Sequence, residues 1–422
     1  MLFFLLKIVL QIISILIKYS VFFDWEVENM DYQGTISRGI RAPIFKQGDD
    51  VVKIVADCVV QAAKTHNFEL QNKDVVAVTE AVVARAQGNY ATCEQIGKDV
   101  HNKFGDETVG IVFPIFSRNR FSLILKGIAL GAKKVVIQLP YPADEVGNSF
   151  ITSDEIEKAN VNPYADVFTA EEFHKTFPDT KHIFTGVDYI EYYKNICGEN
   201  AEIILANNPR EILKHTKYVI NADIHTRKRT KKLLIDAGAE KVLSLDEILN
   251  APVDGSGYNS QYGVLGSNMA TDTKLKLFPR NTQEIAEKLQ EELKKQTGKT
   301  IECMIYGDGA FKDPVGKIWE LADPVCSPGF TSGLVGTPNE IKLKYVADNQ
   351  LANLEGEEAT QKMKEMIKSN KQHDLKGTIL SQGTTPRQLT DLLASLADLT
   401  SGSGDKGTPV ILIQNYFKNF SD

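Results

Sequence analysis

Residues 107–139 read ETVGIVFPIFSRNRFSLILKGIALGAKKVVIQL, and this stretch decides the fold class. It predicts a strand at Gly110–Phe113, a helix at Ser122–Gly131 and a second strand at Val135–Gln138. The same rhythm continues downstream. Strands are expected at Ile203–Ala206 and Tyr218–Asn221, and helices at Glu171–Thr176, Arg210–His215 and Thr226–Ala237. Strands alternating with helices in this way build a parallel, doubly wound α/β sheet.

The flanks of this segment read differently. Upstream, Gly48-Asp49-Asp50 precedes apolar Val51, Val52, Ile54, Val55, Cys58, Val59 and Ala62, a helical spacing with an aspartate placed to cap the first turn. Val75–Val78 is a short β-rich run leading into Thr79-Glu80. Downstream, Asp254-Gly-Ser-Gly-Tyr-Asn-Ser reads as a linker. Asn281 with Glu284 is expected to cap a helix running to about Lys295, and residues 300–306 form a strand ending in Gly307-Asp308-Gly309. A charged helix spans 355–370. Thr385-Pro386-Arg387-Gln388 opens another to about Leu399, and Val410–Ile413 is a last strand. The expected architecture is therefore α/β and α+β, in four parts. They are a hydrophobic segment 1–29, an N-terminal part 30–106, a central doubly wound segment 107–253 and a C-terminal part 254–422.

Composition bounds the function classes. The net charge of −7 is spread without blocks, which argues against nucleic acid as a partner. Five cysteines, an odd number with no CxxC pair, exclude a disulfide framework or a cysteine zinc knuckle and suit a cytoplasmic protein. Residues 2–23 are almost wholly apolar and long enough to span a bilayer, interrupted by Lys7 and Lys18. Two readings stand: a membrane tether, or a start called too early, with Met30 opening the patterned domain. Membrane contact depends on the first.

Several constellations carry chemistry. The loop Ser401-Gly-Ser-Gly-Asp-Lys-Gly407 lies between a helix and a strand, and its glycines let backbone N–H groups form an anion nest beside Lys406 and Asp405. It lacks the order of a Walker motif. The loop after residue 306 holds Asp308 and Asp313, carboxylates of the kind that join substrate phosphates around magnesium, or else side chains that bond their own turn. Arg85 follows a strand and is suited to clamping a phosphate, or to lying exposed on a helix. The basic run His225–Lys232 reads as a solvated helix face or as a surface for an acidic ligand. Arg118 and Arg120 follow a strand end, where doubly wound sheets bind ligands.

Taken in order and spacing, these segments resemble one family, the coenzyme F420-0:L-glutamate ligases. The resemblance is carried by Gly39-Ile40-Arg41-Ala-Pro43, Lys46-Gln-Gly48-Asp49-Asp50, Asp74-Val-Val-Ala-Val78 and Ala84-Arg85-Ala86-Gln87-Gly88. On the C-terminal side it is carried by Gly263-Val-Leu265-Gly-Ser267-Asn268, Leu277-Phe-Pro279 and Gly402-Ser-Gly404-Asp-Lys-Gly407-Thr-Pro409. It covers roughly 35–105 and 260–417, and the central segment is extra to it.

The resemblance implies a GTP-dependent ligase using Mg²⁺ or Mn²⁺, which joins glutamate through its amino group to a carboxylate acceptor by way of an acyl phosphate. The acceptor is a deazaflavin, a folate or another carboxylate. The implied nucleotide residues are Gly39, Ile40, Glu80, Arg85, Asn268 and the loop Gly402, Ser403, Gly404, Asp405, Lys406 and Gly407. Arg85 stands at a nucleotide-contacting lysine of the family, and Asn268 at a nucleotide-contacting asparagine. Leu265 stands where the family has a metal-binding aspartate, and Ser403 where it has an acidic residue. Asp308 lies near a second metal aspartate. The metal site is thus either rebuilt from Asp308, Asp313 and Asp405, or lost. An amide ligase with a homodimer among its expected assemblies is the leading reading. Its rivals are a non-catalytic nucleotide-binding regulatory protein and a membrane-tethered interaction protein. The central segment is expected to supply acceptor specificity.

Overall fold

The computed structural model describes residues 33–116, 121–145, 147–178, 180–182, 186–308, 325–370, 373–381, 387–401 and 404–421. The apolar run 2–23, Arg118, Arg120, Asp313, Thr385, Pro386, Gly402, Ser403 and the side chain of Asp308 lie outside the described residues.

The two flanks of the chain meet in one five-stranded sheet. It contains β1 (Ile36–Ile40), β2 (Val75–Thr79), β12 (Glu302–Asp308), β13 (Val325–Phe330) and β14 (Val410–Gln414) in the order β1-β14-β2-β12-β13. β2 and β12 run parallel, while β14 is antiparallel to both β1 and β2. Val75, Val76, Ala77 and Val78 are all fully buried, because helices cover both faces of β2. One face packs on the helices Val51–Thr65 and Thr282–Thr297, the other on the helix Leu389–Ser401. Asp50 caps the first of these as expected, accepting from Lys53 N at 3.0 Å.

The central sheet contains β4 (Thr108–Val112), β5 (Lys134–Leu139), β6 (Phe168–Thr169), β7 (Ala201–Leu205), β8 (Tyr218–Asn221) and β9 (Lys241–Ser244), ordered β6-β7-β5-β4-β8-β9. All its pairs are parallel except β6 with β7. Strand order therefore reverses between β4 and β8, the topological switch point of a doubly wound sheet. The four strands expected from sequence are there within two residues at each end. β4 stops at Val112, one residue earlier than expected, because Phe113 adopts φ 55° and turns the chain out of the sheet. The helix expected at Arg210–His215 is a 3₁₀ turn, Pro209–Lys214, opened by the Asn208 side chain accepting from Arg210 N.

The core of this unit draws on residues beyond 107–253. The helix Cys93–Phe104 and the stretch Val264–Leu277 contribute Ile96, Val100, Phe104, Val264, Leu265, Leu275 and Leu277 to it. Helix Cys93–Phe104 crosses helix Phe121–Gly131 at very short range. A Cβ on Gly131 would lie 2.1 Å from the Gly97 carbonyl oxygen, and one on Gly127 would lie 2.6 Å from Ile96 Cβ.

A small antiparallel sheet joins the two bodies: β3 (Tyr90–Thr92), β10 (Asn268–Thr271) and β11 (Lys274–Lys276), in the order β10-β11-β3. Three expectations are corrected. Residues 254–260 are not a free linker: Ser256 and Asn259 are buried, Gly257 N donates to Tyr90 O at 2.6 Å, and the Asn259 amide donates to Phe278 O and Pro279 O. Asn281 does not cap its helix with its side chain. It sits at φ 55°, ψ 34°, a conformation asparagine tolerates, and turns a chain already pinned at Arg280 by Gln87. The helix expected from Pro386 starts only at Leu389, where Leu389 N is taken by Gly336 O.

Candidate active site at the strand ends

The five-stranded sheet brings the predicted site segments to one end. β2 finishes at Thr79 and β12 at Asp308, on the same side because the strands are parallel, with Tyr306 in register with Thr79. β1 finishes there at Ile40 and β14 begins there at Val410, paired with one another and antiparallel. The glycine loop feeds β14 at this end. Ala42 N donates to Gly407 O at 3.3 Å, Thr79 N to Pro409 O at 3.0 Å, and Thr408 Oγ1 to Ser401 O at 3.1 Å. Gly39 lies under Thr408, whose Cγ2 would be 3.0 Å from a Cβ at 39. Gly39, Ile40, Gly404, Asp405, Lys406 and Gly407 thus share one rim. Asp405, Lys406 and Gly407 are exposed, and Gly407 turns the chain at φ 66°.

Glu80 opens the helix Glu80–Ala86 directly after β2 and is 3% exposed. Its carboxylate is held by the ammonium of Lys276, itself 9% exposed, in an ion pair that spans 196 residues of sequence. Gly307 makes room for this pair, since a Cβ there would lie 2.1 Å from Glu80 Cγ. Asn268 stands directly across from Lys276 in the small sheet, so the two side chains share a face. The structure therefore gathers Glu80, Asn268 and the end of β12 around Lys276. Arg85 lies at the far end of the same helix and is exposed.

Lys276 was not among the residues picked from sequence. Its signal is the alternation Lys274-Leu275-Lys276-Leu277, which puts the lysines on one face of a strand; the carboxylate that this face meets lies in a different part of the chain. Leu265, by contrast, is 3% exposed and belongs to the central core. Among the described residues no group of three or more His, Cys, Asp or Glu side chains is placed to hold a metal ion. The basic helix Arg227–Asp236 meets its own carboxylates, with Arg227 beside Asp246 at 3.8 Å, Lys231 on Glu247, and Lys232 on Asp236 at 2.5 Å.

A family model described as F420-0:Gamma-glutamyl ligase matches residues 39–415, nearly the whole chain. The chain belongs to this family. The match runs through the central α/β unit as well as both flanks, and the family implies γ-glutamyl ligase activity in general. No curated protein matches the chain. Among solved structures, the biosynthetic arginine decarboxylase SpeA from Campylobacter jejuni is similar over 88% of this chain and 68% of its own, at 11% identity and a TM-score of 0.14, too low to carry an argument. No helix among the described residues is long and apolar enough to cross a membrane.

Proposed function

We propose that this chain is a nucleotide- and divalent-metal-dependent amide ligase that adds glutamate, or another amine, to a carboxylate acceptor through an acyl phosphate. The observation that carries the reading is the meeting of the glycine loop, the Glu80–Lys276 pair and the end of β12 at one end of the five-stranded sheet, in a member of a ligase family. Phosphoryl transfer to a carboxylate asks chiefly for positioning and for positive charge around the phosphates. The turn at 404–407 offers backbone N–H groups and Lys406. Lys276 offers a desolvated ammonium, and Asn268 an amide beside it. Mg²⁺ or Mn²⁺ would rest on Asp308, Asp313 and Asp405, where it neutralises phosphate charge. Of these three, Asp405 stands on the rim with its side chain exposed.

The test is a thermal-shift panel of GTP, ATP and GDP with each metal, followed by phosphate release in the presence of glutamate and candidate acceptors. A nucleotide at a hundred times its Kd stabilises by about 2.7 kcal/mol. Nucleotide-dependent phosphate release that requires both amine and acceptor supports the ligase. The burial of Leu265 in apolar core favours a second reading, a nucleotide-binding protein without catalysis. That reading expects the thermal shift and no phosphate release.

A further inference from the structure

Glu80 and Lys276 form a buried ion pair where an apolar pair could fill the same space. β11 is three residues long, and its middle residue, Leu275, is fully buried in the central core. The face opposite Leu275 carries Lys274 and Lys276. Lys274 lies over the Tyr90 ring at 5.5 Å, an exposed arrangement, but Lys276 is driven inward to the ends of β2 and β12. Desolvating an ammonium and a carboxylate is costly, and a well-packed apolar pair of similar volume is often as stable or more so. An ammonium also has three N–H donors. Among the described residues, Glu80 is the side chain that accepts from it.

We propose that Lys276 binds a phosphate of the nucleoside triphosphate, and that Glu80 is the resident anion that holds this ammonium in place and competes with the phosphate for it. The inference rests on the nucleotide-dependent reading above and deepens it. Four observations carry it. The ammonium is desolvated, so its attraction for an anion is little screened. Its partner Glu80 directly follows Thr79, where β2 ends beside β12 and Thr79 N donates to Pro409 O, two residues past the glycine loop. Its cross-strand neighbour is an amide, Asn268, able to donate to the same anion. Gly307 keeps the Glu80 methylenes against the end of β12, which fixes the carboxylate and through it the lysine. Lys276 is then a binding residue, and Glu80 a positioning residue whose charge sets how readily the lysine is given up.

The experiment is calorimetric titration of wild type, Lys276→Met, Lys276→Arg and Glu80→Gln with GTP and guanosine, and with ATP and adenosine, in Mg²⁺. A hydrogen bond to a charged group contributes about 1.5–3 kcal/mol, so Lys276→Met should weaken triphosphate binding about 10- to 100-fold. Binding of the parent nucleoside should stay within about twofold, because the proposal assigns this lysine to phosphate alone. Lys276→Arg, which keeps the charge, should bind the triphosphate more tightly than Lys276→Met. Glu80→Gln should bind it more tightly than wild type, since the competing charge is gone while the shape remains. An unchanged ratio of triphosphate to nucleoside affinity in Lys276→Met overturns the proposal. So does an equal loss of both ligands, the mark of a purely structural pair. Weaker triphosphate binding in Glu80→Gln refutes the competition. Failure of wild type to bind any of the four ligands is a separate result: it removes the nucleotide-dependent reading itself, before any variant is compared.

Discussion

Gly307→Ala is the sharpest probe of how the strand ends are assembled. A Cβ at 307 would sit 2.1 Å from Glu80 Cγ, with Glu80 Cβ at 3.1 Å and Cδ at 3.3 Å. Carbon atoms settle at about 3.5–4.0 Å, so either Glu80 or the end of β12 must move by more than an ångström. Glu80 has little freedom to do so, because it is buried and its carboxylate is held by Lys276. Overpacking of this kind costs about 1–3 kcal/mol. If the carboxylate is pushed off the ammonium, the loss rises toward the roughly 3–5 kcal/mol of a broken buried pair. Urea unfolding measures it in two backgrounds, wild type and Glu80→Ala/Lys276→Met. The second removes the Cγ and also the lysine that would otherwise be left buried without its carboxylate. There the same Gly307→Ala change should cost clearly less, because the 2.1 Å contact with Cγ is gone and only the Cβ contact at 3.1 Å remains. Equal losses in both backgrounds would refute the contact, and with it the account of how Glu80 and Lys276 are positioned.

Three further outcomes are expected. Gly131→Ala should cost at least the upper end of about 1–3 kcal/mol in urea unfolding, because its Cβ would meet the Gly97 carbonyl oxygen, a backbone atom that cannot rotate aside. Burial holds the Asp74 carboxyl above the ordinary carboxylate value, despite donors from Gln71 N and Gln414 Nε2. Its contribution to stability is therefore fully present below the unfolded pKa of about 4 and is lost as pH rises through the raised folded value, so the stability of Asp74→Asn should fall less than that of wild type across that window. Burial pushes the Cys197 thiol up to about 12 and the Cys303 thiol well above its usual range, so iodoacetamide at pH 8 should leave both unmodified in the native protein and modify them in urea; labelling of native Cys303 would contradict its place in the core.

What the sequence disclosed and what it withheld follow from the range of the interactions. Tyr218–Asn221 is a strand with the bounds its composition suggests, because a buried parallel strand is a short apolar run and the signal is local. Asp50 likewise caps a helix from three residues away. Asn281 shows where local rules stop, since the side-chain pairing of Gln87 with the Arg280 backbone, made across 193 residues, decides the backbone that asparagine must adopt. The site follows the same division. Its loops were legible as glycine, aspartate and lysine between a helix and a strand, and the family resemblance marked Glu80 and Asn268. Their common partner was not legible, because Lys276 acquires its meaning only when β11 places it opposite Asn268 and the end of β2 brings Glu80 to it. In this family member a leucine fills position 265 inside the apolar core, while Lys276 stands beside Glu80 at the strand ends. On the nucleotide reading proposed above, the ammonium of Lys276 would supply positive charge to a phosphate from a place the fold itself fixes. On that reading, part of the charge neutralisation the proposal asks for is written into the fold, with the Glu80 carboxylate as the counter-charge the structure shows for it.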